Sequence, residues 1–145
     1  MKVAIGNDHH GVDVKNRIIK YLEERNIQYL NFGTDTKENV DYIDFAKKVC
    51  KSIQNKECDL GILICGTGIG MSIVANKFKS IRCGKVNNEE EARLTKEHNM
   101  ANVMALSEKI ENLDKVLDAY LNTEYSKEER HKRRVKEIEE VENNG

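Results

Sequence analysis

The sequence predicts an α/β fold built on a five-stranded, mainly parallel sheet with helices on both faces. Three observations predict it. Short apolar segments of strand character alternate with segments of helical periodicity along the chain. Leu60-Gly61-Ile62-Leu63-Ile64-Cys65 is an unbroken apolar run, the pattern of a strand buried on both faces of a parallel sheet. No internal repeat and no linker interrupts the pattern before residue 122, so residues 1–145 read as one domain.

The elements follow in order. Lys2 to Gly6 reads as a short strand ending at a glycine, and Asn7-Asp8-His9-His10-Gly11 as a polar turn. A helix runs to about Arg25, with Val14, Ile18, Ile19 and Leu22 on one face. Asn26 closes it, and Ile27 to Phe32 is the second strand. Asp41 to Asn55 is helical, with Phe45, Val49 and Ile53 at four-residue spacing. The apolar run at 60–65 is the third strand, followed by a glycine-rich turn and a helix to about Lys79. Ile81 to Val86 is the fourth strand, Glu89 to His98 a helix, Asn102 to Leu106 the fifth strand and Leu113 to Leu121 a helix.

The tail differs in character. Ser126-Lys127-Glu128-Glu129 reads as a capping box, with Ser126 as N-cap of a helix over 126–142. Val135, Ile138 and Val141 give that helix a narrow apolar seam between charged residues. A helix of this kind is marginal alone and calls for a docking surface, on its own subunit or on a partner.

Composition limits the function. The chain has 145 residues, of which 39% are hydrophobic and 34% charged, enough for one core under a charged surface. Lys and Arg number 24 against 25 Asp and Glu, a net charge of −1, which argues against nucleic-acid binding. The uncharged run from Leu60 to Asn76 approaches a membrane span in length, but its Gly-Thr-Gly-Ile-Gly centre fits a strand and a turn better. The N-terminus is too poor in apolar residues for a signal peptide, so a cytoplasmic protein with no membrane partner is expected. Proline is absent, which excludes proline-rich linkers. The cysteines at 50, 58, 65 and 83 form no Cys-x-x-Cys pair, and most read as core residues.

The segment Cys65-Gly66-Thr67-Gly68-Ile69-Gly70 carries the most chemistry. Glycines between a strand and a helix let the backbone approach a ligand and aim N–H groups at an anion. A phosphate loop would need a lysine before Ser72, where Met71 stands. The dinucleotide fingerprint fails at the same methionine and follows the first strand of its fold, not the third. Cys65 closes the strand at the turn, where a thiolate is favoured; as a residue read alone, a core cysteine is the alternative. Asp8, His9 and His10 end the first strand and so face the same crevice. They suit phosphate binding or proton transfer; a metal would want a third ligand that the spacing does not supply. His98, at a helix end, reads alone as a C-terminal cap. Arg130 and Arg134 share a helix face and match a phosphate, although from the charge pattern alone pairing with neighbouring glutamates is the favoured reading.

Taken together, these segments resemble a known family. Val3-Ala4-Ile5-Gly6-Asn7-Asp8-His9, Asp41-Tyr42, Ile64 to Gly70, Asn76-Lys77, Ile81-Arg82, Ala92-Arg93-Leu94, Glu97-His98-Asn99, Ala101-Asn102-Val103, Arg130-His131 and Arg133-Arg134-Val135 recur in one order. The chain closely resembles the type B ribose-5-phosphate isomerases, within the family shared with the galactose-6-phosphate isomerase subunits, from residue 2 to about 140. The resemblance implies a Rossmann-like three-layer fold and a homodimer with sites built across the subunit interface, a homotetramer being the alternative assembly. It implies no metal and no organic cofactor. It implies interconversion of ribose 5-phosphate and ribulose 5-phosphate, with Cys65 as base and His98 opening the sugar ring; Thr67, a neutral hydroxyl beside the base, suits the relay of a proton between the two oxygens. Substrate contacts map onto Asp8, His9, Tyr42, Gly66, Thr67, Gly68, Ile69, Gly70, Asn99, Arg130 and Arg134. Lys109 stands at an arginine of the family and keeps the charge without the bidentate fork. His10, Met100, Ser107-Glu108 and the proline-free Asp41-Tyr42-Ile43-Asp44 also depart from the family pattern. The alternatives are the same chemistry on allose or galactose 6-phosphate, and a sugar-phosphate-binding protein without catalysis.

Overall fold

The computed structural model describes residues 1–145. Its strands are β1 (Lys2–Asn7), β2 (Gln28–Asn31), β3 (Leu60–Cys65), β4 (Cys83–Lys85) and β5 (Val103–Ser107). Its helices are α1 (Val12–Glu24), α2 (Tyr42–Gln54), α3 (Ile69–Ala75), α4 (Glu89–Glu97), α5 (Leu113–Asn122) and α6 (Glu129–Asn144). All strand pairs are parallel, in the order β2-β1-β3-β5-β4, so the expected α/β class and five-stranded sheet are found.

Strand alternation divides the core into two layers. Val3 and Ile5 of β1, Ile62 and Ile64 of β3, and Met104 and Leu106 of β5 pack with α1, α5 and Ala92 of α4. Ala4, Leu63, Cys65, Val103 and Ala105 point to the other face, against α2 and α3. β3 is buried at every position, as its apolar run requires. Asn7, Tyr120 and Lys15 are also fully inside. Tyr120 donates its hydroxyl to the Gly61 carbonyl at 3.0 Å and thereby joins α5 to β3. Lys15 of α1 donates to the Thr34 carbonyl and the Asp35 carboxylate. Its ammonium holds the Asp35 carboxyl below the usual carboxylate range and pins the loop after β2.

Three boundaries differ from expectation. Helix α3 ends at Ala75, not Lys79. The Asn76 side chain donates to the Cys83 carbonyl at 2.9 Å and accepts the Cys83 N–H at 2.8 Å, so the chain leaves the helix to reach β4. The fourth strand is cut to three residues at the sheet edge. Ser126 is not the N-cap of the tail helix; α6 starts at Glu129, after Glu128. The Ser126 N–H is tied to the Glu97 carbonyl at 2.9 Å, and its hydroxyl lies 2.7 Å from His131 Nδ1. Of the expected seam only Val135 is buried, joined by His131, whereas Ile138 and Val141 are 47% and 73% exposed. The tail therefore docks on its own chain, its first half through His131 and Val135 and its second half through Glu142, which accepts the Ser80 N–H at 3.0 Å, and Glu139, 3.5 Å from the Arg82 guanidinium.

Tyr120→Phe should cost about 1–2 kcal/mol in urea unfolding, because it leaves a buried carbonyl short of a donor while keeping the ring. An unchanged midpoint would show that Gly61 is satisfied without it.

Candidate active site

Parallel strands end together, and the ends of β1, β3 and β5 form one crevice. After β1, the Asp8 carboxylate accepts the His10 N–H at 3.0 Å and caps a single 3-10 turn, His9–Gly11. The Asp8 backbone N–H donates to the Ile64 carbonyl, which binds this turn to β3. His9 Nδ1 accepts the Val40 N–H at 3.3 Å, which places the ring proton on Nε2 and leaves that atom as a donor. Asp8, His9 and Cys65 thus share one edge, as expected from the strand ends.

The turn after β3 is built around two backbone requirements. Gly68 has φ +80°, and a side chain there would also meet the Leu106 backbone at 2.9 Å. Gly70 lies beneath the Tyr42 ring, where a Cβ would come within 2.7 Å of it. The resulting geometry folds the turn back on Cys65, and the Gly68 N–H donates to Sγ at 3.1 Å. The Thr67 hydroxyl accepts the Ile69 N–H at 3.1 Å, so its own proton stays available. Two N–H groups of the turn are therefore used within it. Elsewhere the thiols are held protonated: burial pushes Cys50 up to about 12 and raises Cys58 and Cys83. Beside the turn lies a cavity of about 500 Å³ lined by Gly66, Thr67, Ile69, Lys85, Asn87 and Lys109, among others.

The remaining expected residues stand elsewhere. His98 follows α4, and its ring stacks on His131 with centroids 4.2 Å apart. His98 Nε2 is 3.8 Å from a Glu97 carboxylate oxygen. Asn99 lines a second cavity of about 720 Å³ with Arg82, Ala101, Ile138 and Val141. Arg130 and Arg134 are exposed on α6, and Arg130 reaches Glu128 at 2.7 Å. This second group occupies the edge where the strands begin. The register pairs Gly61 with Val103 and Cys65 with Ser107, and His98 precedes Val103. Strand rise alone puts about 13 Å between the two edges. Within one chain, Cys65 and His98 do not meet.

The family model described as Ribose/Galactose Isomerase matches residues 3–138. The chain belongs to the ribose/galactose isomerase family. The protein named ribose-5-phosphate isomerase B of Escherichia coli is 38% identical over 144 residues, covering 97% of this chain and 96% of that one. The structure of Clostridium thermocellum ribose-5-phosphate isomerase B is similar with TM-score 0.95 and 43% identity over 99% of each chain. That of ribose-5-phosphate isomerase B from Mycoplasma genitalium with bound ribulose-5-phosphate has TM-score 0.91 and 34% identity, covering 99% of this chain and 97% of that one.

This family member also places at the crevice residues that sequence reasoning left without a role. Lys85 ends β4 and Asn87 follows it at the same edge as Cys65, and the strand-end rule would have found both. Glu108 follows β5 and pairs with His10, a contact that no spacing in the sequence signals. In this isomerase, Gly68→Ala should lower stability by about 1–3 kcal/mol, through positive φ and the clash with Leu106. Urea unfolding measures it; a loss below the lower figure would show that the turn relaxes freely.

Proposed function

We propose that the chain interconverts ribose 5-phosphate and ribulose 5-phosphate through an enediolate, in sites completed by a second copy of itself. The observation that carries this reading is Cys65 Sγ held by the Gly68 N–H in a glycine turn at the crevice. The names of the relatives support the substrate.

The chemistry needs a base at the carbon between carbonyl and hydroxyl. Cys65, with the Gly68 N–H aimed at its sulfur, takes the proton from that carbon and returns it to the neighbouring one once the enediolate has formed. Negative charge then develops on the enediolate oxygen. The turn's remaining N–H groups stabilise it, an effect worth about 3–4 kcal/mol for a single preorganised donor. Thr67, whose hydroxyl accepts from Ile69 and keeps its proton, relays a proton between the two oxygens. Tyr42, packed on Gly70, Asp8 and the free Nε2–H of His9 hold the sugar and phosphate from this side, with Ile69 and Lys109 at the rim.

Sugar phosphates are mostly cyclic, so a further group must open the ring. His98 does this, and it comes from the second copy because its own chain holds it at the opposite edge. Asn99, Arg130 and Arg134 arrive with it, all three being exposed in the single chain. Two guanidinium forks one helical turn apart match a phosphate. A homodimer is the smallest assembly that supplies both halves.

Turnover of ribose 5-phosphate, set beside allose 6-phosphate and galactose 6-phosphate, tests the reading. Cys65→Ser should cut kcat for ribose 5-phosphate by about a hundredfold or more while phosphorylated ligands still bind. Near-normal turnover in that variant would remove Cys65 as the base, and no turnover of ribose 5-phosphate by the unaltered protein would remove the substrate.

A further inference from the structure

His10 and Glu108 belong to different segments, one after β1 and one after β5, yet His10 Nδ1 lies 3.1 Å from Glu108 Oε2. In the sheet order, β3 runs between those two strands, so the pair spans the mouth of β3. It passes directly over Gly66. A Cβ built there would lie 3.7 Å from the His10 ring and 3.9 Å from the Glu108 carboxylate. Glu108 is fixed from below as well, its N–H donating to the Cys65 carbonyl at 3.0 Å. His10 is fixed by the Asp8 carboxylate at its N–H and by its ring lying 4.2 Å from that of His9. Both side chains reach water, His10 being 52% exposed and Glu108 34%.

A carboxylate next to an anion-binding turn works against that turn. Its charge repels a phosphorylated substrate and disfavours an enediolate. We propose that His10 is a positioning residue that holds the Glu108 carboxylate to one side, keeping the mouth above Cys65 open to anions. The inference deepens the proposed function and rests on its anionic sugar-phosphate substrate. His10 touches neither the reacting atoms nor the sulfur; it acts through Glu108. Removing His10 alone therefore frees the carboxylate to swing over Gly66, whereas removing both members leaves no carboxylate to hold aside.

The local charge at Cys65 is read by alkylating the full-length protein with anionic iodoacetate and neutral iodoacetamide, with labelling at Cys65 followed by peptide mass spectrometry. Both reagents react with the thiolate, so the ratio of their rates cancels thiolate fraction and steric access and reports the field at sulfur. At low ionic strength, His10→Ala should lower the iodoacetate-to-iodoacetamide ratio by about threefold, the effect of a carboxylate charge released to within several ångströms of the sulfur in a wet site. The double variant His10→Ala/Glu108→Gln should return the ratio at least to that of the unaltered protein. KM for ribose 5-phosphate should rise in the single variant with kcat little changed, and recover in the double. An unchanged ratio in His10→Ala, or a ratio that stays low in the double variant, overturns the proposal. Because alkylation needs no turnover, an inactive protein with the expected ratios would refute the isomerase reading and leave the positioning role of His10 standing.

Discussion

All five strands point the same way, and the rest of the molecule follows from that constraint. In a parallel sheet each strand must be returned to the starting edge by a crossover. Strand ends and helix ends are thereby sorted to opposite edges. The residues that leave β1, β3 and β5 meet at one edge: Asp8 and His9, the Cys65 turn, and Glu108 with Lys109. The residues that leave α4, with the helix α6 stacked on them, meet at the other: His98, Asn99 and His131. A reaction that uses Cys65 and His98 together then demands two copies of the chain. The dimer in the proposed mechanism is a consequence of strand direction.

Local chemistry at the C-terminal edge depends on how tightly the turn after β3 is specified. Gly68 is held by its positive φ and by the Leu106 backbone, and Gly70 by the Tyr42 ring. These restrictions leave the Gly68 N–H aimed at Cys65 Sγ and the Thr67 hydroxyl anchored on Ile69. Below the turn β3 is buried at every position, and Tyr120 secures it through the Gly61 carbonyl. Rigidity of this kind is what preorganised donors require, since donors that reorganise as charge develops forfeit their advantage.

Much of this was legible in the sequence, for identifiable reasons. The strand at 60–65 announced itself because burial on both faces removes every polar residue from it. The crevice residues were legible because strand ends in such folds face the ligand. Helix ends were less so. Ser126 has the right spacing for a cap, but its N–H and hydroxyl are taken by Glu97 and His131, contacts made only after the chain folds back on α4. The early end of α3 depends on Asn76 reaching Cys83. The grouping of His98 and the arginines with Cys65 came from the family resemblance alone, because periodicity does not show at which edge a helix ends relative to a distant turn. The His10–Glu108 contact was illegible for a related reason: the two residues meet only through the side-by-side pairing of three strands.

Subunit complementation tests the central claim, that each site takes Cys65 from one copy and His98 from another, most directly. Cys65→Ser and His98→Asn proteins, each nearly inactive on cyclic ribose 5-phosphate, are mixed and allowed to exchange subunits. Random pairing makes half the dimers mixed, and each mixed dimer contains one site with both residues intact. Activity should then rise to about a quarter of that of the unaltered protein. Mixed dimers that form, as native mass spectrometry would establish, yet show no more activity than the two parents would contradict the account, because both residues would then have to act within a single chain.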